Sequence, residues 1–275
     1  KKKKKKTQKK KNQTAWLKGG KNMKILYAAS EAQPVAASGG LADVAGSLPK
    51  ALVEEGHEAC VVVPLYVNTI KQQWRDQMTY VTNFSVPVGW RNQYCGLFTS
   101  KINNVTYYFL DNEYYFKRDF GLYGYYDDAE RYAFFSRAVL EMLKVIDFKP
   151  QIINSNDWQC ALIPVYYSIF YRNDEKLWGI KNVFTIHNIQ YQGRYGMEIL
   201  EDVLGIPKHF ASLMEYDRDI NLMKAAIEVA DKVTTVSPTY SKEILDPWFS
   251  HGLDRALSDK QYKTCGFLNG IDTDM

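Results

Sequence analysis

From Met23 to Tyr66 the sequence passes through an apolar run, "MKILYAAS", a glycine pair, a helix-periodic segment and a second apolar run, "HEACVVVPLY". The helical segment covers 41–55: Leu41, Val44, Ala45, Leu48 and Leu52 recur at helix spacing, and Gly56 supplies a stop. Pro49 lies inside it and predicts a kink or a break into two pieces. Strand, glycine turn, helix, strand in about forty residues is the βαβ unit of an open parallel sheet.

The pattern changes at 79–111, where "TYVTNFSVPVGW", "QYCGLFTSKI" and "VTYYFLD" alternate like strands and predict antiparallel hairpins inserted in the sheet. The aromatic, glycine-rich stretch "EYYFKRDFGLYGYYDD" reads as a loop, and a helix is expected from Asp128 to Ile146. Strand and helix then alternate again: "PQIINS", "DWQCALIPVYYSIFYR", "KNVFTIH", "NLMKAAIEVA", "DKVTTVS" and "PTYSKEIL", the last with Ser237 as N-cap and Pro238 at its first position. The order predicts one α/β domain over 23–275, a doubly wound, mostly parallel sheet with an antiparallel hairpin insertion.

Charge separates this domain from what precedes it. Residues 1–22 hold eleven lysines and no acid, and the rest of the chain carries 24 basic against 31 acidic side chains. The lysine-rich stretch is expected to be a disordered tail or linker, since like charges repel and nothing there can form a core. Attraction to nucleic acid is the competing reading, and a linker or fragment boundary is preferred over it. No run approaches the ~20 apolar residues of a membrane span. Cys60, Cys95, Cys160 and Cys265 show no metal-ligand spacing, which argues for a reducing, cytoplasmic setting without a zinc site.

In an open α/β sheet ligands sit at the carboxyl ends of the strands. There the sequence places Glu31, Ser38, Gly39, Gly40, Asp43, Asn154, Asn156, Asp157, Trp158, His187, Asn188 and Gln192. Carboxylates and amides grip hydroxyls and aromatic faces cover sugar rings, so the mixture suits a sugar cleft. Each residue has a plainer reading: Gly39–Gly40 as a tight turn, Asp157 as a helix N-cap, His187 as a core histidine, and "FGLYGYY" with Tyr123 as a packed loop.

Taken in order, "KILYAASE", "GGLADVAGSLPKAL", "GLYGYYDDAERYAFFSRAVLE", "NDWQCALIP", "VFTIHNIQYQG", "VTTVSPTYSKEI" and "LNGID" resemble the N-terminal half of bacterial glycogen and plant starch synthases, glycosyltransferase family 5. The resemblance runs from Met23 to Met275. It implies a GT-B fold of two Rossmann-like domains, the C-terminal nucleotide-binding one being absent from this chain. It also implies transfer of glucose from ADP-glucose to the nonreducing end of an α-1,4-glucan or maltooligosaccharide, with retention and without a metal or other cofactor. On this resemblance Ser38, Gly39, Gly40 and Leu41 meet the donor diphosphate. His187, Asp157 and Asp43 form the catalytic set, and Glu31, Trp158, Asn188, Gln192, Asn269 and Tyr123 contact glucan or sugar.

The chain departs from the family pattern at several points. Ala37 stands where the KxGGL motif has lysine; Asn154, Asn156 and Gln159 replace the histidines around Asp-Trp, and "MKAAI" has alanine for a glycine. Losing a charge-assisted contact to diphosphate costs on the order of 1.5–3 kcal/mol. The expectation is therefore a synthase of reduced activity, inactive without its C-terminal half. The alternative is a noncatalytic glucan-binding or regulatory protein of the same fold.

Overall fold

A computed structural model describes residues 22–270. All but the last residue of the lysine-rich segment expected as a tail, and the end of the "LNGID" motif, lie outside the described residues. In chain order the first strands are β1 (Lys24–Ala28), β2 (Glu58–Pro64), β3 (Thr79–Val88), β4 (Arg91–Ile102) and β5 (Val105–Asp111). Next come β6 (Ile152–Asn156) and β7 (Lys181–Ile186), then the short β8 (Arg194–Tyr195), β9 (Glu215–Tyr216) and β10 (Asp219–Asn221), and finally β11 (Lys232–Thr235) and β12 (Thr264–Gly266).

Nine strands form one sheet in the order β12-β11-β7-β6-β1-β2-β5-β4-β3, and β8-β10-β9 form a small antiparallel sheet. The run from β12 to β5 is parallel throughout, whereas β4 and β3 add in antiparallel fashion at one edge. The hairpins expected at 79–111 are these edge strands. Asn103 and Asn104, both at positive φ, make the two-residue turn between β4 and β5 that matches strand twist.

The chain leaves β1 toward β2 on one side, while β6, β7 and β11 extend the sheet on the other. Right-handed crossovers then put the helix Gly40–Glu54 on one face and the helices Asp128–Met142, Leu162–Tyr166 and Leu222–Val229 on the opposite face. The second group packs together, and the Asp128–Met142 helix is buried along most of its length. Its expected end at Ile146 is four residues too long, because the last turn opens after Met142.

Pro49 does not break its helix, which is continuous from Gly40 to Glu54. Leu41, Ala45 and Pro49, four residues apart, face the sheet and are buried, and that packing outweighs the hydrogen bond the proline removes. Leu48, expected on the buried face, is exposed; with Val44 and Leu52 it lines a separate apolar groove. The segment "DWQCALIPVYYSIFYR" is not one α-helix: a 3-10 turn (Trp158–Cys160) precedes the α-helical piece and a π-helical turn (Tyr167–Tyr171) follows it. The aromatic stretch after β5 is mostly loop, as expected, but opens with the short helix Glu113–Phe116 capped by Asn112. The Ser237 hydroxyl accepts from the Tyr240 N–H at 2.9 Å, the capping role its position predicts. Ala226, in place of the motif's glycine, is completely buried in the helix Leu222–Val229. Cys60, Cys95 and Cys160 are buried free thiols and Cys265 is exposed. Among the described residues no helix is long and apolar enough to cross a membrane.

Candidate functional site

The strand order reverses direction between β1 and β6, and a crevice opens there at the carboxyl ends of the strands. It forms a cleft of about 880 Å³. Its walls come from the loop after β1, the aromatic loop before the helix Asp128–Met142, and the ends of β6, β7, β11 and β12.

The first wall runs from Glu31 to Leu41. Glu31 is buried, and its carboxylate accepts from the Ser38 N–H and, at 2.7 Å, from the Ser38 hydroxyl. Burial pushes its pKa up, the hydrogen bonds from Ser38 and Gly39 oppose the shift, and nearby Asp43 adds to it. These bonds fold the chain so that Gly39 precedes the helix in extended conformation, φ −158°. Neither Gly39 nor Gly40 has a left-handed φ. A Cβ on Gly40 would meet nothing within 4 Å, and one on Gly39 would make an ordinary contact with Glu31 at 3.7 Å. The fold therefore does not require glycine at either position, and the tight-turn reading loses its physical basis. What glycine does provide is bare backbone at the mouth of the cleft. The N–H groups of Gly40 and Leu41 lie in the first helical turn, where no intrahelical acceptor exists.

The second wall is the paired ends of β6 and β7. Asp157 has φ 56° and ψ −177°, a region that side-chain-bearing residues rarely occupy. Its side chain makes no N-cap bond, contrary to the helix-start reading. Instead Oδ1 accepts from the His187 N–H at 2.8 Å and the Asn188 N–H at 3.3 Å. Desolvation pushes the Asp157 carboxyl up to about 7, against those two hydrogen bonds and with a smaller push from Glu31. Desolvation holds His187 down at about 4, so its ring is neutral at pH 7. The ring Nε2 lies 2.9 Å from Asn156 Oδ1.

The third wall is aromatic. Trp158 packs edge-on against Tyr132, ring centres 5.3 Å apart, and tilted against Tyr195 at 6.1 Å. A Cβ on Gly193 would fall 2.8 Å from the Trp158 ring, and Gly193 has φ +66°, so this glycine is needed where it stands. Tyr123 bonds Ser30 Oγ through its hydroxyl at 2.7 Å, tying the aromatic loop to the loop after β1. Fully buried Arg131 secures that aromatic loop from beneath. Its guanidinium donates to Asp128 at 2.5 Å, to the Leu122 carbonyl at 3.0 Å and to the Tyr115 carbonyl at 2.7 Å. The other Asp128 oxygen accepts from the Gly124 and Tyr125 N–H groups.

Of the residues expected at the site, the cleft brings together Glu31, Ser38, Gly39, Gly40, Leu41, Tyr123, Asp157, Trp158, His187, Asn188 and Asn269. Two do not line it. Asp43 is exposed on the outer side of the first helical turn. Gln192 is buried and fully committed elsewhere: its Nε2 donates to the Ile189 and His251 carbonyls, and its Oε1 accepts from Asn221. Its amide fastens the loop after β7, which corrects the expectation of sugar contact. Sequence reasoning missed Asp128, Gly124, Gln159, Tyr191 and Val236 in the lining and Gly193 behind it. The "YGYYDD" run signalled the first two only as a loop. Among the described residues the lining holds three carboxylates, one histidine and no lysine or arginine.

The domain is a doubly wound, mostly parallel sheet with a polar, aromatic-walled cleft at its switch point, the place where such sheets bind ligands. Residues 24–259 match the starch synthase catalytic domain family, and the chain belongs to that family. It is 48% identical over 254 residues to a glycogen synthase of Exiguobacterium sibiricum and 47% identical over 252 residues to that of Bacillus subtilis. Each match covers 91% of this chain and 52% of the relative. The catalytic domain of starch synthase IV from Arabidopsis thaliana, bound to ADP and acarbose, superposes with a TM-score of 0.82 at 29% identity. That match covers 92% of this chain and 52% of the plant chain. The chain thus spans about half the length of the relatives it matches.

Proposed function

We propose that this chain is the N-terminal, acceptor-side half of an α-1,4-glucan synthase that moves glucose from ADP-glucose to the nonreducing end of a glucan with retention. The observation that carries this reading is the glycine pair. Gly39 and Gly40 are demanded by neither backbone conformation nor packing, yet this turn leaves the N–H groups of Gly40 and Leu41 bare at a helix N-terminus inside the cleft. Such a turn suits a diphosphate leaving group. Ser38, Gly39, Gly40 and Leu41 hold it, and Asp157 and His187 border the transferred sugar. Trp158, Tyr123, Glu31, Asn188 and Asn269 line the acceptor side. Retaining transfer passes through a cation-like sugar, which the carboxylates of Glu31 and Asp157 favour electrostatically. The match over about half of each relative's length fits one half of a longer synthase, and the buried thiols suit a reducing cytoplasm.

The test is incorporation of labelled glucose from ADP-glucose into a maltooligosaccharide by the full-length gene product. Extension through new α-1,4 links at the nonreducing end is expected, and the absence of extension with intact, folded enzyme would overturn the reading. A second reading is favoured by one observation, the lack of any cation in the cleft lining. On that reading the domain binds glucan without transfer, and calorimetry would show maltooligosaccharide binding with no turnover.

A further inference from the structure

We infer that Asn156 is a positioning residue that locks the imidazole of His187 in one tautomer, proton on Nε2 and lone pair on Nδ1. The Asn156 side chain is fully buried, so water cannot substitute for its partners. Its amide nitrogen lies 2.9 Å from the Ala28 carbonyl, 3.3 Å from the Asn154 carbonyl and 2.8 Å from Asn154 Oδ1. Two of these are backbone carbonyls, which only accept, so the amide has one possible orientation. Oδ1 must then face His187 Nε2, at 2.9 Å. A carbonyl oxygen cannot donate, so Nε2 carries the proton. The amide is itself braced: Asn154 Nδ2 donates to Thr185 Oγ1 at 3.0 Å, and Thr185 shares a 2.7 Å hydrogen bond with Thr234.

Among the described residues nothing hydrogen-bonds His187 Nδ1, and the residue lines the cleft. The one ring nitrogen left without a partner is therefore an acceptor only. Resting on the proposed function, this means that His187 accepts a hydrogen bond from a hydroxyl of the transferred sugar. It does not protonate the departing diphosphate, because its one proton is held by Asn156. The histidine that the family motif carries at position 156 could donate or accept and would leave the tautomer open. Asparagine makes the assignment one-way.

The experiment is long-range proton–nitrogen correlation NMR on the 275-residue chain labelled with 15N-histidine at neutral pH. There are four histidines, and His187→Gln identifies the resonances of interest. The expected wild-type pattern is a protonated, pyrrole-like Nε2 with an unprotonated, pyridine-like Nδ1. Asn156→Ala should move both nitrogens toward the averaged values of a tautomer mixture. A pyrrole-like Nδ1 in the wild type would overturn the inference whether or not the variants fold. So would Asn156→Ala folding with unchanged histidine shifts. The readout needs no turnover, so a failed transfer assay would remove the functional reading without touching the tautomer.

Discussion

The two polar walls of the cleft are built in opposite ways. At the ends of β6 and β7, polar groups are spent on one another: Asp157 on the N–H groups of His187 and Asn188, His187 on Asn156, Asn156 on Ala28 and Asn154. At the turn after β1 only the base is tied down, by Glu31 and Ser38, while the Gly40 and Leu41 N–H groups are left over and Ala37 is exposed. One wall is preorganised with shifted protonation; the other leaves donors without partners. Both walls line one cleft, but physical chemistry assigns them different demands on sequence.

That contrast breaks most visibly where the built wall loses a support. Arg131→Met strands the Asp128 carboxylate in the core and should cost about 3–5 kcal/mol in urea unfolding. A cost below 1 kcal/mol would mean that the ion pair does not anchor the aromatic loop. Gly193→Ala forces a Cβ against Trp158 at a left-handed φ, and about 2–3 kcal/mol is expected by the same measurement.

Asp157 sharpens the comparison through pH. Its folded-state pKa is raised from 3.8 to about 7, so the native chain binds the proton more tightly than the unfolded one. Stability contributed by this group is therefore greatest below pH 4 and falls as pH rises toward 7. Asp157→Asn removes that dependence while keeping an acceptor for the two N–H groups. The variant should gain on wild type progressively from pH 4 to 7 in thermal unfolding, with a constant advantage above, while transfer is lost. A difference independent of pH would place the carboxylate outside the desolvated wall.

The smallest expected effect on stability belongs to the open wall. Gly40→Ala should leave unfolding free energy unchanged within about 0.5 kcal/mol, since its Cβ meets nothing. Donor use should nevertheless weaken in the full-length enzyme. A large loss of stability would reinstate the structural reading of the glycine pair.

Much of this was legible in the sequence because period and punctuation survive in a single chain. The apolar runs at β1, β2, β6 and β7 and the glycines around the first helix fixed a parallel sheet and the location of its switch point. Eleven of the expected site residues line the cleft: ten lie in the segments that follow β1, β6, β7 and β12, and Tyr123 lies in the aromatic loop. What failed depended on where side chains spend their hydrogen bonds, which spacing does not encode. Gln192 has the right chemistry and the right segment, yet its amide is consumed by Ile189, His251 and Asn221. Asp157 occupies a cap position but reaches across to β7 instead. Pro49 breaks isolated helices, and here tertiary burial overrides it.

Ala37 gives the most direct test, because on the proposed function the open wall holds a diphosphate without the lysine of its family motif. Initial rates of labelled glucose transfer from ADP-glucose would be compared for the full-length gene product and its Ala37→Lys variant. Transfer by the wild type is expected, with kcat/KM for ADP-glucose rising roughly ten- to hundredfold in the variant, the worth of one charge-assisted contact. No transfer by either protein, with maltooligosaccharide binding intact, would contradict a diphosphate site at the glycine turn and leave a glucan-binding domain.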